Sequence, residues 1–307
     1  MIDSVLLIAF GGPTRREEIR PFLEIVTRGR RIPRERIEAV ARHYEQMPGA
    51  RSPLNDLTAR QARALQAGLE RAGFALPVRV GMRNWHPFLR ETLADLTAGG
   101  ARRTLGIILS ALRTEASWER YQEDVAEARA QVPGAPEVVF APEWCEEPGF
   151  IEAVADRAAQ ALAEVPAEQR AWTPLVFTAH SIPVAMAEAS PYVAQLSDSA
   201  DRVATTLGHK RWSIAYQSRS GSPRDAWLEP DVADVIRSLA RDGETDAVVV
   251  PIGFVCDHVE VLYDLDVGAR AVAESLGMRL HRAAAVNDHP AFIAMLVDLV
   301  RRHGPDG

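Results

Sequence analysis

The chain has 307 residues, room for one large domain or two of ordinary size. It is 47% hydrophobic and 25% charged, so it can bury a full core without disulfides or a structural metal. Its 35 basic residues against 42 acidic ones leave a net charge of −7, which excludes a general nucleic-acid binder. Lys210 is the sole lysine, so nearly all the positive charge is guanidinium, the group that grips carboxylates bidentately. The thiols of Cys145 and Cys256 are too few for a four-cysteine zinc site or an iron–sulfur cluster, and reduced, buried thiols are expected. The apolar run at 5–10 is too short for a signal peptide and has no basic region before it. No run approaches the ~18 apolar residues of a membrane span. A cytoplasmic protein is expected.

In chain order, short apolar runs predict strands at 5–10, 78–82, 104–109, 137–141, 175–178, 212–216, 247–252 and 279–282. They are continuously apolar rather than alternating, as in parallel strands covered on both faces. Amphipathic segments between them predict helices at 57–72, 87–98, 117–132, 149–164, 192–207 and 232–241, with a last helix at 290–303. The alternation predicts an α/β protein with open parallel sheets in two halves of similar size. The turn-rich stretch 142–148 marks the linker, which places the halves at 1–145 and 146–288. Residues 289–307 are expected to form a helix that packs back on the first half.

Ligands of such sheets bind beyond the carboxyl ends of the strands. The fifth strand runs into Ala179-His180-Ser181-Ile182-Pro183, which sets an imidazole at that edge. The seventh runs into Gly253-Phe254-Val255-Cys256-Asp257-His258-Val259-Glu260. There Val255, Val259, Leu262 and Leu265 fit one helical face, while Glu260 and Asp264, four apart, share another. Asp257 is expected as the N-cap of that helix, complementing its dipole. An imidazole and a carboxylate from two strand ends suit a divalent first-row metal held transiently, or a base. Cys256 reads as a packing residue rather than a soft ligand. Gly11-Gly12-Pro13 forms an elbow that lets backbone approach a flat ligand, and it lacks the dinucleotide fingerprint. Asn84 and Trp85 follow the second strand. Arg219, in the donor-rich run after the sixth, is either a structural ion-pair partner or an anion binder.

Several phrases together carry a resemblance. They are Phe10-Gly11-Gly12-Pro13, Thr27-Arg28-Gly29-Arg30, Ser52-Pro53-Leu54, Arg83-Asn84-Trp85, Phe177 through Pro183, Tyr216-Gln217-Ser218-Arg219-Ser220-Gly221 and Pro251 through Asp264. Through them the chain resembles the ferrochelatase family, whose members insert Fe²⁺ into a porphyrin. It looks most like the Gram-positive, especially actinobacterial, branch, which acts on coproporphyrin III. The resemblance implies two Rossmann-like chelatase domains, each a parallel four-stranded sheet flanked by helices, with the porphyrin in the cleft between them. It implies His180 and Glu260 as the catalytic, metal-inserting pair, with Asp264 next on the metal's path. Gly268 breaks the acidic line one turn further on. It implies porphyrin contacts at Phe10, Thr27, Arg28, His43, Tyr44, Ser52, Asn84, Trp85, Tyr121 and Arg219. Phe10 stands where some members carry an iron-ligating tyrosine, a contact phenylalanine cannot make.

The chemistry suits these groups. Metal insertion requires a puckered ring, the loss of two N–H protons and the dehydration of Fe²⁺. A neutral imidazole, ordinarily titrating near ~6.5, can accept a pyrrole proton, and a carboxylate can ligate iron or relay the proton. Arg28, Arg30 and Arg219 are candidate partners for propionates. Fe²⁺ is then substrate, and no tightly bound cofactor or [2Fe–2S] cluster is expected. Porphyrin and Fe²⁺ are the expected partners, with a downstream haem-pathway enzyme as a transient one, no nucleic acid and no membrane span. The chain is read as a monomer. The alternatives are a protoporphyrin IX ferrochelatase, a cobalt or nickel chelatase of a corrin-type ring, and a non-catalytic haem or coprohaem carrier.

Overall fold

The computed structural model describes residues 1–29, 32–220 and 225–304. Arg30 and Gly221, named above, lie outside the described residues. Eight strands form: β1 (Ser4–Ala9), β2 (Val78–Met82), β3 (Arg103–Ile108), β4 (Glu137–Phe140), β5 (Leu175–His180), β6 (Trp212–Gln217), β7 (Asp246–Val250) and β8 (Arg279–Arg282). They make two four-stranded sheets, ordered β2-β1-β3-β4 and β6-β5-β7-β8, with every pairing parallel. All six residues of β1 and all five of β7 are buried, which is why these runs read as unbroken hydrophobic stretches. β5 runs two residues past its expected end, because His180 still pairs with Gln217 of β6. β7 stops earlier than expected, at Val250, where Pro251 removes a ladder donor.

The chain divides into two compact units. The first comprises Met1–Leu109, Trp118–Pro142 and Ile293–Gly307. Its helices are α1 (Ile19–Val26), α2 (Arg34–Gln46), α3 (Leu54–Arg71), α4 (Leu89–Ala98) and α5 (Arg120–Ala130). Leu6, Ile8, Leu89, Leu93, Ile108 and Val125 share one of its cores. Gly68 of α3 faces Val297 and Ile293 so closely that a Cβ there would stand 2.7 Å from a Val297 methyl. The second unit comprises Ser110–Ser117 and Glu143–Phe292. Its helices are α6 (Pro148–Leu162), α7 (Val184–Glu188), α8 (Tyr192–Leu207), α9 (Val232–Arg241), α10 (Val259–Val261) and α11 (Arg270–Ser275). The final helix, α12 (Pro290–Arg302), begins in the second unit and passes into the first at Ile293.

One local expectation fails. The helix after β7 starts at Val259, so Val255 lies before it rather than on its apolar face, and Asp257 is not its cap. His258 occupies the N-cap, and its Nδ1 accepts the Glu260 N–H at 3.2 Å. The Asp257 carboxylate is taken instead by Arg282 Nη1 (2.6 Å), Asn287 Nδ2 (2.7 Å) and the Ala285 N–H (3.1 Å). A carboxylate at a helix start can serve the dipole or a nearby guanidinium, and here the guanidinium wins. After three α-helical residues the chain widens into a π-helix, Leu262–Ala269, before α11. Such wide turns concentrate at functional sites.

Two stability predictions follow from this framework. A Cβ on Gly253 would lie 2.6 Å from the Ala179 Cβ and 2.8 Å from its Cα, beside the end of β5. Gly253→Ala should therefore destabilise by about 1–3 kcal/mol, read as a lowered Tm. At the other edge of the second sheet lies the buried Asp246. Burial opposes its charge, but bonds from Arg279 (2.8 and 2.7 Å), His281 (2.8 Å) and the Thr245 hydroxyl (2.9 Å) outweigh it and lower the carboxyl to about 2. That stabilisation is complete above the unfolded value of ~3.9 and disappears as pH falls through the folded one. Asp246→Asn should cost about 2 kcal/mol in urea unfolding at pH 7 and far less near pH 2.

Candidate functional site

In the second sheet, the chain goes from β5 to β6 on one side and reaches β7 on the other. Open α/β sheets bind ligands where the strand order reverses, which here is beyond the carboxyl ends of β5 and β7. His180 is the last residue of β5, and Glu260 stands ten residues after β7, in α10. His180 Nε2 lies 4.0 Å from Glu260 Oε2, with the two side chains 28% and 45% exposed. The other ring nitrogen, Nδ1, sits 2.5 Å from the Ser181 carbonyl. A carbonyl only accepts, so Nδ1 carries the proton, and Nε2 is the nitrogen that faces Glu260.

The backbone around the ring is fixed from several directions. The Tyr192 hydroxyl donates to the His180 carbonyl at 2.8 Å. Burial pushes that phenol well above its ordinary value, so it remains a donor. The Ser181 N–H donates to the Gln217 carbonyl (2.7 Å), and its hydroxyl to the Leu228 carbonyl (2.9 Å). Gln217 also reaches the helix opposite, its Nε2 donating to the Glu260 carbonyl at 3.1 Å. His258 packs edge-on against Phe254, ring centroids 4.9 Å apart. Burial holds its imidazole below the usual range, and the neutral ring can then accept from the Glu260 N–H.

Asp264 lies four residues beyond Glu260, within the π-helix, and the Ser218 hydroxyl donates to it. Ser218 adopts φ +64°, the left-handed region unusual for a non-glycine residue. Burial pushes the Asp264 carboxyl up to about 6; the Ser218 hydroxyl pulls it down, the Glu260 charge pushes it up and His180 pulls it down. Among the described residues, no group of three or more His, Cys, Asp or Glu side chains forms a metal-holding cluster. The convergent set is thus a base-ready imidazole and one carboxylate, with a second carboxylate behind them on Ser218. Cys256 is buried and unoxidised.

Most of the other candidates lie in the first unit. Phe10, 40% exposed, directly follows β1 and meets Phe22 edge-on. Phe22 also contacts Tyr44 and Trp85, both buried. Trp85 is held by its indole N–H on Glu18 (2.8 Å), and the Asn84 side chain donates to the Phe10 carbonyl (3.1 Å). Ser52 is buried against Gly12, where a Cβ would come within 2.7 Å of its own Cβ. The elbow needs glycine for that approach. Tyr121 is buried in a separate cluster, its ring 4.1 Å from the Arg83 guanidinium. Thr27 ends α1, its hydroxyl donating to the Leu23 carbonyl, and Arg28 beyond it is exposed. His43 is half-buried on α2, and burial with Arg36 and Arg42 lowers its pKa. In the second unit, Arg219 is exposed, donates to the Asp225 carbonyl (3.3 Å) and lies 5.8 Å from the Trp227 ring.

Sequence reasoning missed the roles of Tyr192, Gln217, Ser218 and His258. Only His258 left a usable signal, as a polar residue two before Glu260 at the true helix start.

A family model described as Ferrochelatase matches residues 3–304. A coproporphyrin III ferrochelatase of Mycolicibacterium smegmatis is 43% identical over 97% of this chain and 88% of its own length. One from Mycobacterium avium is 46% identical over 97% and 87%. A ferrochelatase of Rhodopirellula baltica is 41% identical over 97% and 85%. Among solved structures, SirB from Bacillus subtilis with Fe³⁺ aligns at a TM-score of 0.60 and 12% identity, covering 100% of this chain and 97% of that one. CbiX, the terminal enzyme of siroheme biosynthesis in denitrifying bacteria, aligns at 0.54 and 19% identity over 97% and 98%. At those identities the likeness is one of fold.

The Ser218 hydroxyl favours the charged form of Asp264. Ser218→Ala should therefore move the carboxyl titration upward from about 6, followed by side-chain ¹³C NMR. An unchanged midpoint would contradict the contact.

Proposed function

The chain belongs to the ferrochelatase family, and on that premise we propose that it inserts Fe²⁺ into coproporphyrin III to yield the iron porphyrin. The observation that carries the chemistry is the pairing of His180 Nε2 and Glu260 Oε2, 4.0 Å apart at the strand-order reversal, with Nδ1 occupied by a carbonyl. Coproporphyrin III is the substrate in the names of the mycobacterial relatives, and they support that choice of ring.

In this reading, His180 accepts the two pyrrole protons one at a time at Nε2, passing the first to Glu260 before it takes the second. Donation from Nδ1 to the Ser181 carbonyl stabilises the imidazolium that forms. Glu260, nearly half exposed, receives Fe²⁺ from solution, offers it an oxygen ligand and relays the proton outward. Two groups bind a hydrated divalent ion weakly enough to release it to four ring nitrogens. Asp264, raised to about 6, accepts the proton after Glu260 at neutral pH. Phe10, Thr27, Arg28, His43, Tyr44, Ser52, Asn84, Trp85, Tyr121 and Arg219 are proposed as porphyrin contacts. Of the described guanidinium groups among them, exposed Arg28 and Arg219 are offered to the propionates. No resident cofactor enters the proposed reaction.

An anaerobic assay with Fe²⁺ and either coproporphyrin III or protoporphyrin IX, followed by absorbance, tests this reading. Turnover should be higher with coproporphyrin III. His180→Ala should abolish insertion, and Glu260→Gln should lower kcat by about 100-fold or more. Both should bind porphyrin within a few-fold of wild type by fluorescence quenching. Full turnover in His180→Ala would remove the imidazole from the mechanism.

A further inference from the structure

The Glu260 carboxylate stands 4.0 Å from its neighbour, too far for a hydrogen bond to fix it. Glu260 lies in the first turn of a helix that runs on without a break as a π-helix from Leu262 and as α11 from Arg270. Helix ends fray, so the place of a first turn depends on contacts from outside the helix. One side chain grips the segment on both flanks.

That side chain is Arg282, the last residue of β8, which pairs with Val249 of β7 and is therefore anchored to the sheet. Its Nη1 donates to Asp257 Oδ1 at 2.6 Å, three residues before Glu260. Its Nε donates to Asp266 Oδ1 at 2.8 Å, six residues after. The three side chains are only 15%, 16% and 28% exposed. Asp257 is closed in further: its N–H donates to Asn287 Oδ1 (3.0 Å), and its carboxylate accepts from Asn287 Nδ2 and the Ala285 N–H. Asn287 reaches this position at φ +47°, with its own N–H on the Val255 carbonyl (3.0 Å). Two anions that would otherwise repel each other are drawn to one planar cation, and the helical segment between them carries Glu260 and Asp264.

We propose that Arg282 is a positioning residue for Glu260, clamping Asp257 and Asp266 so that the carboxylate stays opposite His180. This deepens the metal-insertion reading and rests on it. A guanidinium makes both bonds from fixed directions, whereas a lysine ammonium is a single point charge and cannot reproduce the span. Charge-assisted bonds in a largely buried setting are strong. Without the cation, among the described residues, Asp257 keeps only Asn287 and the Ala285 N–H, and Asp266 only Arg270 at 3.8 Å, so nothing joins the two carboxylates. An error of about 1 Å at a reacting group costs about 100-fold in rate.

The test uses the full chain with Arg282→Gln, Arg282→Lys and Asp266→Ala, assayed beside wild type. Arg282→Gln is expected to lower kcat by about 10- to 100-fold and raise the KM for Fe²⁺, with the porphyrin Kd within about twofold. Arg282→Lys should recover Tm more than kcat, since it restores charge without both bonds. Asp266→Ala, which frees one arm, should fall between. Wild-type kcat and Fe²⁺ KM in folded Arg282→Gln, with only Tm reduced, would overturn the clamp. Should that variant not fold, wild-type kinetics in Asp266→Ala overturn it instead. Absence of insertion by the wild type sinks the insertion pair itself, whereas equal turnover in wild type and Arg282→Gln sinks the clamp alone.

Discussion

A carbonyl oxygen has no proton to give, and that fact organises the chemistry of this molecule. The Ser181 carbonyl against His180 Nδ1 leaves the imidazole one neutral tautomer, with Nε2 on the Glu260 side. The carbonyl cannot swing away, because the N–H and hydroxyl of Ser181 are tied to Gln217 and Leu228. Tyr192 holds the preceding carbonyl in the same way. Main-chain geometry set by a buried parallel sheet thus decides which nitrogen is basic.

The parts of the fold legible in the sequence were those where burial is continuous. β1 and β7 are buried at every position, so Ser4–Ala9 and Asp246–Val250 stand out against their surroundings. Helices with broad buried faces, such as α6 and α8, were equally plain. In α2 only Ala41 and Tyr44 are buried, and so thin a stripe leaves no periodic signal. His180 and Glu260 were readable because strand ends are where sheets open. Asp257 was misread because a carboxylate near a helix start has two possible uses, and the deciding partner, Arg282, lies 25 residues away. Tyr192 and Gln217 act through backbone carbonyls, a contact that no residue type announces.

β8 shows how one short strand serves two ends. Its four residues are Arg279, Leu280, His281 and Arg282. Arg279 and His281 converge on Asp246 at the amino edge of the sheet, far from the chemistry, where ion pairing contributes to stability. Arg282 works at the carboxyl edge, where ion pairing contributes to placement. Leu280 alone joins the hydrophobic core of this unit. β8 is also an edge strand, and its charged side chains discourage pairing with a foreign strand.

The path of α12 has a consequence for how the polypeptide acquires its structure during synthesis. A ribosome releases the amino end first, yet the first unit takes in Ile293 onward, and Leu296, Leu299 and Val300 are fully buried. The second unit draws on nothing beyond Phe292. The core of the unit made first therefore cannot close until α12 has been made, after every strand of the second unit. Until then that unit stays exposed to chaperones and proteases.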